Sequence, residues 1–291
     1  MLLSKTNKVF VKFPKVGLGN MLLVWARAIV FCKINQLELT TSSWCGFRWG
    51  ALIRRESRNR FYYKYFIESS FISKLLINIK KIFSTIIYEP DLKEVDLNNN
   101  KIYIFNKNKI HNDLFYGLRD YQSYIKIKIE EKLHYRIKKI IDKEKISCIS
   151  IHVRRGDFKK GNPITPLSHY LKGIELIRKH TNKNLSVTIF SDADLNEIQP
   201  LLEIDNVKLA NRNPDIVDIL LMSKSKIIFL SQSSSFSYWA AFLSDSLVII
   251  PSNDWQMKIK ENKNSYKEIR WNENDFTASN ELINSLNKID F

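Results

Sequence analysis

Apolar and polar positions alternate over residues 8–13 (KVFVKF), which predicts a strand. The next seven residues, PKVGLGN, break that pattern with Pro14, Gly17 and Gly19. Residues 21–31 (MLLVWARAIVF) are then apolar nearly all round, the mark of a buried helix. Strand, glycine turn and buried helix open an α/β unit. Residues 54–88 are different, mixing Arg and Lys with bulky apolar side chains. Within them Phe71, Leu75, Ile79 and Ile82 recur at helical spacing. That stripe has two readings: a basic helix lying on a membrane surface, or a domain helix with its lysines facing water. A turn at 96–100 (DLNNN) precedes a strand at 101–105, and a charged helix is expected over 124–145.

From residue 146 the alternation is cleaner. Strands are expected at 146–153, 185–190, 207–209, 226–230 and 247–251, with helices at 165–180, 194–202, 215–223 and 235–244. Thr165 is read as an N-cap with Pro166 at the first helical position. Strand and helix in strict succession predict a doubly wound parallel sheet with helices on both faces. The boundary falls near residues 140–146, giving an N-terminal unit of 1–145 and a C-terminal unit of 146–291.

Composition adds an asymmetry. The 291 residues, 44% hydrophobic, suffice for one large domain or two with sizeable cores. Residues 1–150 hold 28 Lys/Arg against 13 Asp/Glu, whereas residues 151–291 hold 18 against 17. The basic half is compatible with nucleic acid, an anionic membrane surface, a phosphorylated ligand or a plainly solvated Lys-rich face. Cys32, Cys45 and Cys148 form no CxxC pair, and the five histidines lack metal-site spacing. The cysteine usage fits a reducing compartment. The N-terminus lacks a signal-like apolar core, and no apolar run approaches the ~20 residues of a spanning helix. A soluble, cytoplasmic protein is the expectation.

Three polar clusters fall at predicted strand ends, where open parallel sheets bind ligands. They are His152-Val153-Arg154-Arg155-Gly156-Asp157, Ser191-Asp192-Ala193-Asp194 and the serine-rich run Ser231–Ser237. Paired arginines offer forked donors to phosphate oxygens. Serines leading into a helix add hydroxyls and N–H groups, and a carboxylate such as Asp192 can accept paired N–H donors from a guanine edge. Together they suit a nucleoside diphosphate. Each also has a plainer reading: the serines as an N-cap, RRGD as a surface ion-pair loop, Asp192 and Asp194 as caps of the next helix. Neither a P-loop GxxxxGK[ST] nor a GxGxxG is present.

These residues also carry a family resemblance. HVRRGDF (152–158) resembles the HxRRxD motif of the fucosyltransferase superfamily. SSSFSYWAAFL (233–243) resembles the SSFSWWAAWL segment of bacterial α-1,2-fucosyltransferases, glycosyltransferase family 11, and GLGNMLLVWARA (17–28) their GLGNQ segment. ITPLSHYL, FSDADL and DILLMSKSKIIFLS follow in matching order over residues 164–231. The resemblance implies a GT-B fold, with two Rossmann-like domains facing across a cleft. It further implies inverting transfer from GDP-fucose without a metal or other cofactor. Position by position, it places Arg154 on the β-phosphate, Arg155 beside it, His152 facing the nucleotide and Asp192 on guanine. Ser234, Ser235 and Phe236 would line the diphosphate and fucose, with Gly17, Gly19 and Asn20 as the opposing loop. Asp157 is either the general base or a strut for the arginines.

The chain departs from the family pattern at Met21 (usually Gln), Ser233 (usually Asn) and Tyr238 (usually Trp), positions expected near donor or acceptor walls. The implied acceptor is an oligosaccharide or lipid-linked glycan, which receives fucose in an α-1,2 linkage in O-antigen or capsule synthesis. The basic half would then rest on the anionic inner membrane face. Two rivals remain at this point: a transferase of the same fold using another nucleotide sugar, and a basic nucleic-acid-binding protein. The second draws on RRESRNRFYYKYF (54–66) but is accompanied by no binding motif.

Overall fold

The computed structural model describes residues 8–45, 61–95, 100–107, 112–155, 163–261 and 267–291. The chain divides into two compact units, Met1–Lys138 and Lys139–Phe291.

The first unit runs β1 (Lys8–Val11), α1 (Leu18–Asn35), β2 (Leu39–Thr41), α2 (Phe71–Lys80), β3 (Thr85–Tyr88), β4 (Lys101–Phe105), α3 (Gln122–Lys132) and α4 (Tyr135–Lys143), the last crossing the division. Its strands pair in parallel in the order β2-β1-β4-β3. The glycine turn after β1 leads into α1, which is longer than the apolar run over 21–31 predicts. By length and composition α1 could span a membrane, but 83% of it is buried inside the unit. It is a core helix: Phe31 packs against Tyr103 and Phe105 of β4 in tilted ring pairs with centroids 4.9 and 5.6 Å apart.

The single helix expected over 124–145 is two. Between α3 and α4, Leu133 adopts extended backbone and is buried in a bridge to Phe66. The Ile67 N–H donates to Lys132 O (2.7 Å) and the His134 N–H to Tyr65 O (2.9 Å). Pairing with residues 65–67 takes the backbone groups that would have continued the helix, a tertiary contact that outweighs local propensity.

The second unit runs β5 (Ile149–Val153), α5 (Leu167–Thr181), β6 (Val187–Ser191), α6 (Leu195–Leu202), β7 (Val207–Leu209), α7 (Asp215–Met222), β8 (Ile227–Phe229), α8 (Ser235–Leu243), β9 (Leu247–Pro251), β10 (Lys267–Trp271) and α9 (Phe276–Leu286). All six strands are parallel, in the order β10-β9-β8-β5-β6-β7. Counted from β5, this is the 3-2-1-4-5-6 order of a Rossmann sheet. The chain steps from β5 to β6 and β7, then returns to β8 on the other side, so the order reverses between β5 and β8.

Alternation assigns the faces. Ile149, Ile151, Val153, Val187, Ile189 and Phe229 join Tyr170 and Ile174 of α5, Ile198 of α6 and Leu282 of α9 in one core. α5 lies so close that a Cβ at Gly173 would meet a Phe229 ring carbon at 2.5 Å. That approach brings Tyr170 to the strand ends.

His169, its neighbour on α5, is buried against Trp271 with ring centroids 4.9 Å apart and its Nδ1 3.5 Å from Glu273 Oε2. Burial pushes its pKa down to about 4 from 6.5, and the opposing pull of Glu273 is the smaller effect. The unfolded chain therefore takes up this proton first. Its contribution to stability is complete above pH 6.5 and falls as pH drops toward 4, by ~1.4 kcal/mol per pH unit. In thermal unfolding between pH 7 and 5, His169→Gln is expected to lose ~2 kcal/mol less than wild type. Parallel pH profiles would refute this.

Candidate active site

β5 ends at Val153 and the chain turns through Arg154 and Arg155. Side chains from three other segments hold this turn. Ser231 Oγ accepts the Arg154 N–H (2.8 Å) and donates to His152 O (2.7 Å). The Tyr170 hydroxyl reaches both His152 O and Ser231 Oγ at 3.0 Å. Burial pushes the Tyr170 phenol up to about 12, which keeps it a neutral donor near pH 7. The β5 and β8 ends are thereby locked together at the point where strand order reverses.

The two arginines do different work. Arg154 Nη1 pairs with Asp192 Oδ2 at 2.5 Å, and the Arg154 side chain keeps 30% of its surface in solvent. Arg155 is buried and turned inward, with Nη1 donating to Arg154 O (3.0 Å) and Nη2 to Thr165 O (2.9 Å). Both of these bonds go to backbone carbonyls, which suits the assisting of Arg154 that is one of its two expected roles, the other being contact with the pyrophosphate from the far side. Asp192 Oδ1 accepts the Arg155 N–H (2.8 Å), so this carboxylate spans both arginines. That is the strut role offered for Asp157. Gly156 and Asp157 themselves lie outside the described residues.

The plainer readings now separate. Asp194 does cap α6, in a capping box in which Glu197 accepts the Asp194 N–H at 3.2 Å. Asp192 is not the cap residue of α6. Ser234 is the N-cap residue of α8, yet its hydroxyl does not cap the helix. Phe236, in the first turn of α8, stacks on His152 with centroids 5.0 Å apart and planes at 23°. Thr165 is not the cap of α5, which begins at Leu167 behind Pro166. Its Oγ1 instead accepts the Gln232 N–H (2.9 Å).

One residue that motif reading missed organises the serine turn. Asp254 is buried, and its Oδ1 accepts the N–H groups of Ser233 and Trp255, each at 2.8 Å. Its Oδ2 accepts the Tyr238 hydroxyl at 2.6 Å. Burial first, then Asp254, push the Tyr238 phenol above its ordinary range. The available signal was positional: SND (252–254) follows β9, a fourth polar cluster at a carboxyl strand end.

The family model described as Glycosyl transferase family 11 matches residues 72–275, well over half of the chain. The chain belongs to glycosyl transferase family 11. No functionally curated protein matches this family 11 transferase. Among solved structures, it is similar to NodZ alpha-1,6-fucosyltransferase soaked with GDP-fucose, at 14% identity and TM-score 0.47 over 82% of this chain and 94% of that one. NodZ from Bradyrhizobium gives 13%, 0.46, 82% and 94%. An Arabidopsis thaliana FUT1 variant in complex with GDP gives 12%, 0.47, 84% and 70%.

In the first unit of this family 11 transferase, Gly17 is the N-cap of α1, with Gly19 and Asn20 in the first turn after β1. Gly17 has an ordinary φ of −67°. A Cβ built on it meets nothing within 4 Å. Neither its backbone nor its described neighbours demand glycine. Of the departures from the family pattern, Met21 and Tyr238 are both fully buried. Ser233 has φ +54°, the left-handed region that Asn tolerates better than Ser. Ser233→Asn is expected to raise the unfolding midpoint by roughly 1–2 °C, about 0.5 kcal/mol. An unchanged or lower midpoint would show that the Ser233 side chain supplies something Asn lacks.

Proposed function

We propose that the protein moves fucose from GDP-fucose to a glycan hydroxyl with inversion. The fucose C1–O bond to the diphosphate breaks, the acceptor oxygen bonds C1, and its proton passes to a base. The reading rests on family membership together with one observation. Partly exposed Arg154 and the uncapped first turn of α8 stand where strand order reverses between β5 and β8. That crevice is where a doubly wound sheet binds nucleotides. Arg154 would meet the β-phosphate and stabilise the charge developing on GDP. Ser234, Ser235 and the α8 N–H groups would cradle the diphosphate. The stacked His152–Phe236 pair would form a wall of the pocket.

Arg155 acts in this reading as a positioning residue. Asp192 can still serve guanine, since each carboxylate oxygen has a second lone pair. With Asp192 in place as the strut, Asp157 is proposed as the base, so Asp157→Asn should lower kcat while leaving GDP affinity in place. An unchanged kcat would remove that role. Gly17, Gly19 and Asn20 are the proposed donor contacts of the first unit. We further propose an α-1,2 linkage to an oligosaccharide or lipid-linked acceptor in O-antigen or capsule synthesis. The setting would be the cytoplasm, with peripheral contact to the anionic inner membrane face. No metal is proposed, because Arg154 supplies the charge, and EDTA should leave the rate unchanged.

Thermal unfolding with nucleotides tests the donor. GDP should stabilise the protein, whereas UDP and ADP should not, because stabilisation follows binding to the native state. Stabilisation by UDP or ADP alone would point to another nucleotide sugar. DNA retention without GDP binding would sink the transferase reading altogether.

A further inference from the structure

Between Glu68 and Glu89 the chain contains no acidic residue, and it carries Lys74, Lys80 and Lys81 there. α2 and the 3-10 turn Lys81–Phe83 occupy most of this stretch. Of the two readings the sequence leaves for the Phe71, Leu75, Ile79 and Ile82 stripe, burial against the domain is not what forms. Within α2 only Ile77 is buried, packed with Phe10, Ile102 and Ile104. Phe71 is 79% exposed, Ile72 67%, Ile82 75% and Phe83 72%. Leu75, Leu76 and Ile79 are exposed as well. A helix anchored by one aliphatic side chain, presenting its large apolar residues to solvent, is inverted relative to an ordinary surface helix.

Charge selects what covers the patch. The unit Met1–Lys138 holds 25 Lys/Arg and 11 Asp/Glu, a net of +14 (25 − 11). A second copy would bring like charge to like charge. Nucleic acid would satisfy the lysines but offers aromatic planes, on which Ile and Leu gain little. An anionic bilayer satisfies both chemistries, with phosphates for the lysines and acyl chains for the aliphatic residues.

We propose that residues 71–83 are the surface by which the protein docks on an anionic lipid bilayer. Phe71, Ile72, Ile82 and Phe83 enter the boundary between headgroups and acyl chains, and Lys80 and Lys81 meet lipid phosphates, Lys81 by leaving its seat over the Phe10 ring (4.0 Å) and its bond to Asn78 (3.2 Å). This names the surface for the peripheral contact proposed for the transferase and rests on that contact.

The full-length protein is sedimented with vesicles of phosphatidylcholine, with and without phosphatidylglycerol. Wild type should pellet with the anionic vesicles and not with the neutral ones. A Phe71→Ser/Ile82→Ser/Phe83→Ser variant should lose about tenfold or more in vesicle affinity. Its unfolding midpoint should be unchanged, because these side chains are exposed. Lys80→Glu/Lys81→Glu should lose binding too. If the serine variant pellets like wild type, the surface is wrong and the peripheral contact survives. If wild type ignores anionic vesicles, both fall. Equal binding to neutral vesicles, or a serine variant that merely abolishes self-association, also overturns the proposal. The GDP response is measured without vesicles, so the donor reading stands or falls separately.

Discussion

Arg154→Ala should reduce fucosyl transfer by about 10³-fold, ~4 kcal/mol of transition-state stabilisation, while the protein stays folded. The two magnitudes separate cleanly. On the folding side, the substitution removes an ion pair to Asp192 whose partners keep 30% and 22% of their side-chain surface in solvent. Such a pair contributes only about 0.2–1 kcal/mol. Asp192 keeps the Arg155 N–H, and the Arg154 backbone N–H stays on Ser231. On the catalytic side, the lost guanidinium would face charge that grows as GDP departs, so kcat suffers more than GDP affinity. Arg154→Lys should recover part of the rate, because an ammonium keeps the charge and loses the fork. Steady-state kinetics with GDP-fucose, beside an unfolding curve for each variant, provides the check. Full activity in a folded Arg154→Ala protein would remove Arg154 from the mechanism.

Much of the second unit was legible because its elements alternate and its central strands β6, β8 and β9 are largely apolar. β5, β6, β8 and β9 fall within a few residues of the periodic runs, and β7 falls on its own. β10 was missed because KEIRW, an edge strand, reads as polar, and α9 went unseen with it. In the first unit β2 is three residues long, too short for any period to register, and β3 is hidden in the basic stretch. The break between α3 and α4 depends on a partner more than 60 residues upstream, a distance over which periodicity says nothing.

The site divides in the same way. Clusters at strand ends were visible as clusters, since a polar run after an apolar strand is a local signal. The division of work inside them was not. Which arginine turns inward is decided by Thr165 O, and which carboxylate spans the pair is decided by β6 lying beside β5. The inverted α2 marks a further limit of pattern reading: spacing reveals a stripe but not whether anything packs on it.

Asp254→Ala should lower stability by roughly 3–5 kcal/mol, about 10 °C in unfolding midpoint, the largest effect expected of a residue absent from the family motifs. One carboxylate here accepts three donors: two backbone N–H groups and the Tyr238 hydroxyl. Tyr238 is fully buried, so its hydroxyl would lose its acceptor where water does not compensate. The Ser233 N–H would lose the bond that holds a left-handed serine in place. If orphaned donors are the cause, removing one should restore stability. Asp254→Ala/Tyr238→Phe is therefore expected to be more stable than Asp254→Ala alone by ~1–2 kcal/mol, although Tyr238→Phe by itself destabilises. The same loop carries Ser234 into α8, so GDP affinity should fall in Asp254→Ala below its unfolding transition. Asp254→Asn keeps one acceptor oxygen and should lie between the two. A double variant no more stable than Asp254→Ala would place the cost in the loop backbone, and wild-type GDP affinity in folded Asp254→Ala would detach this strut from the donor site.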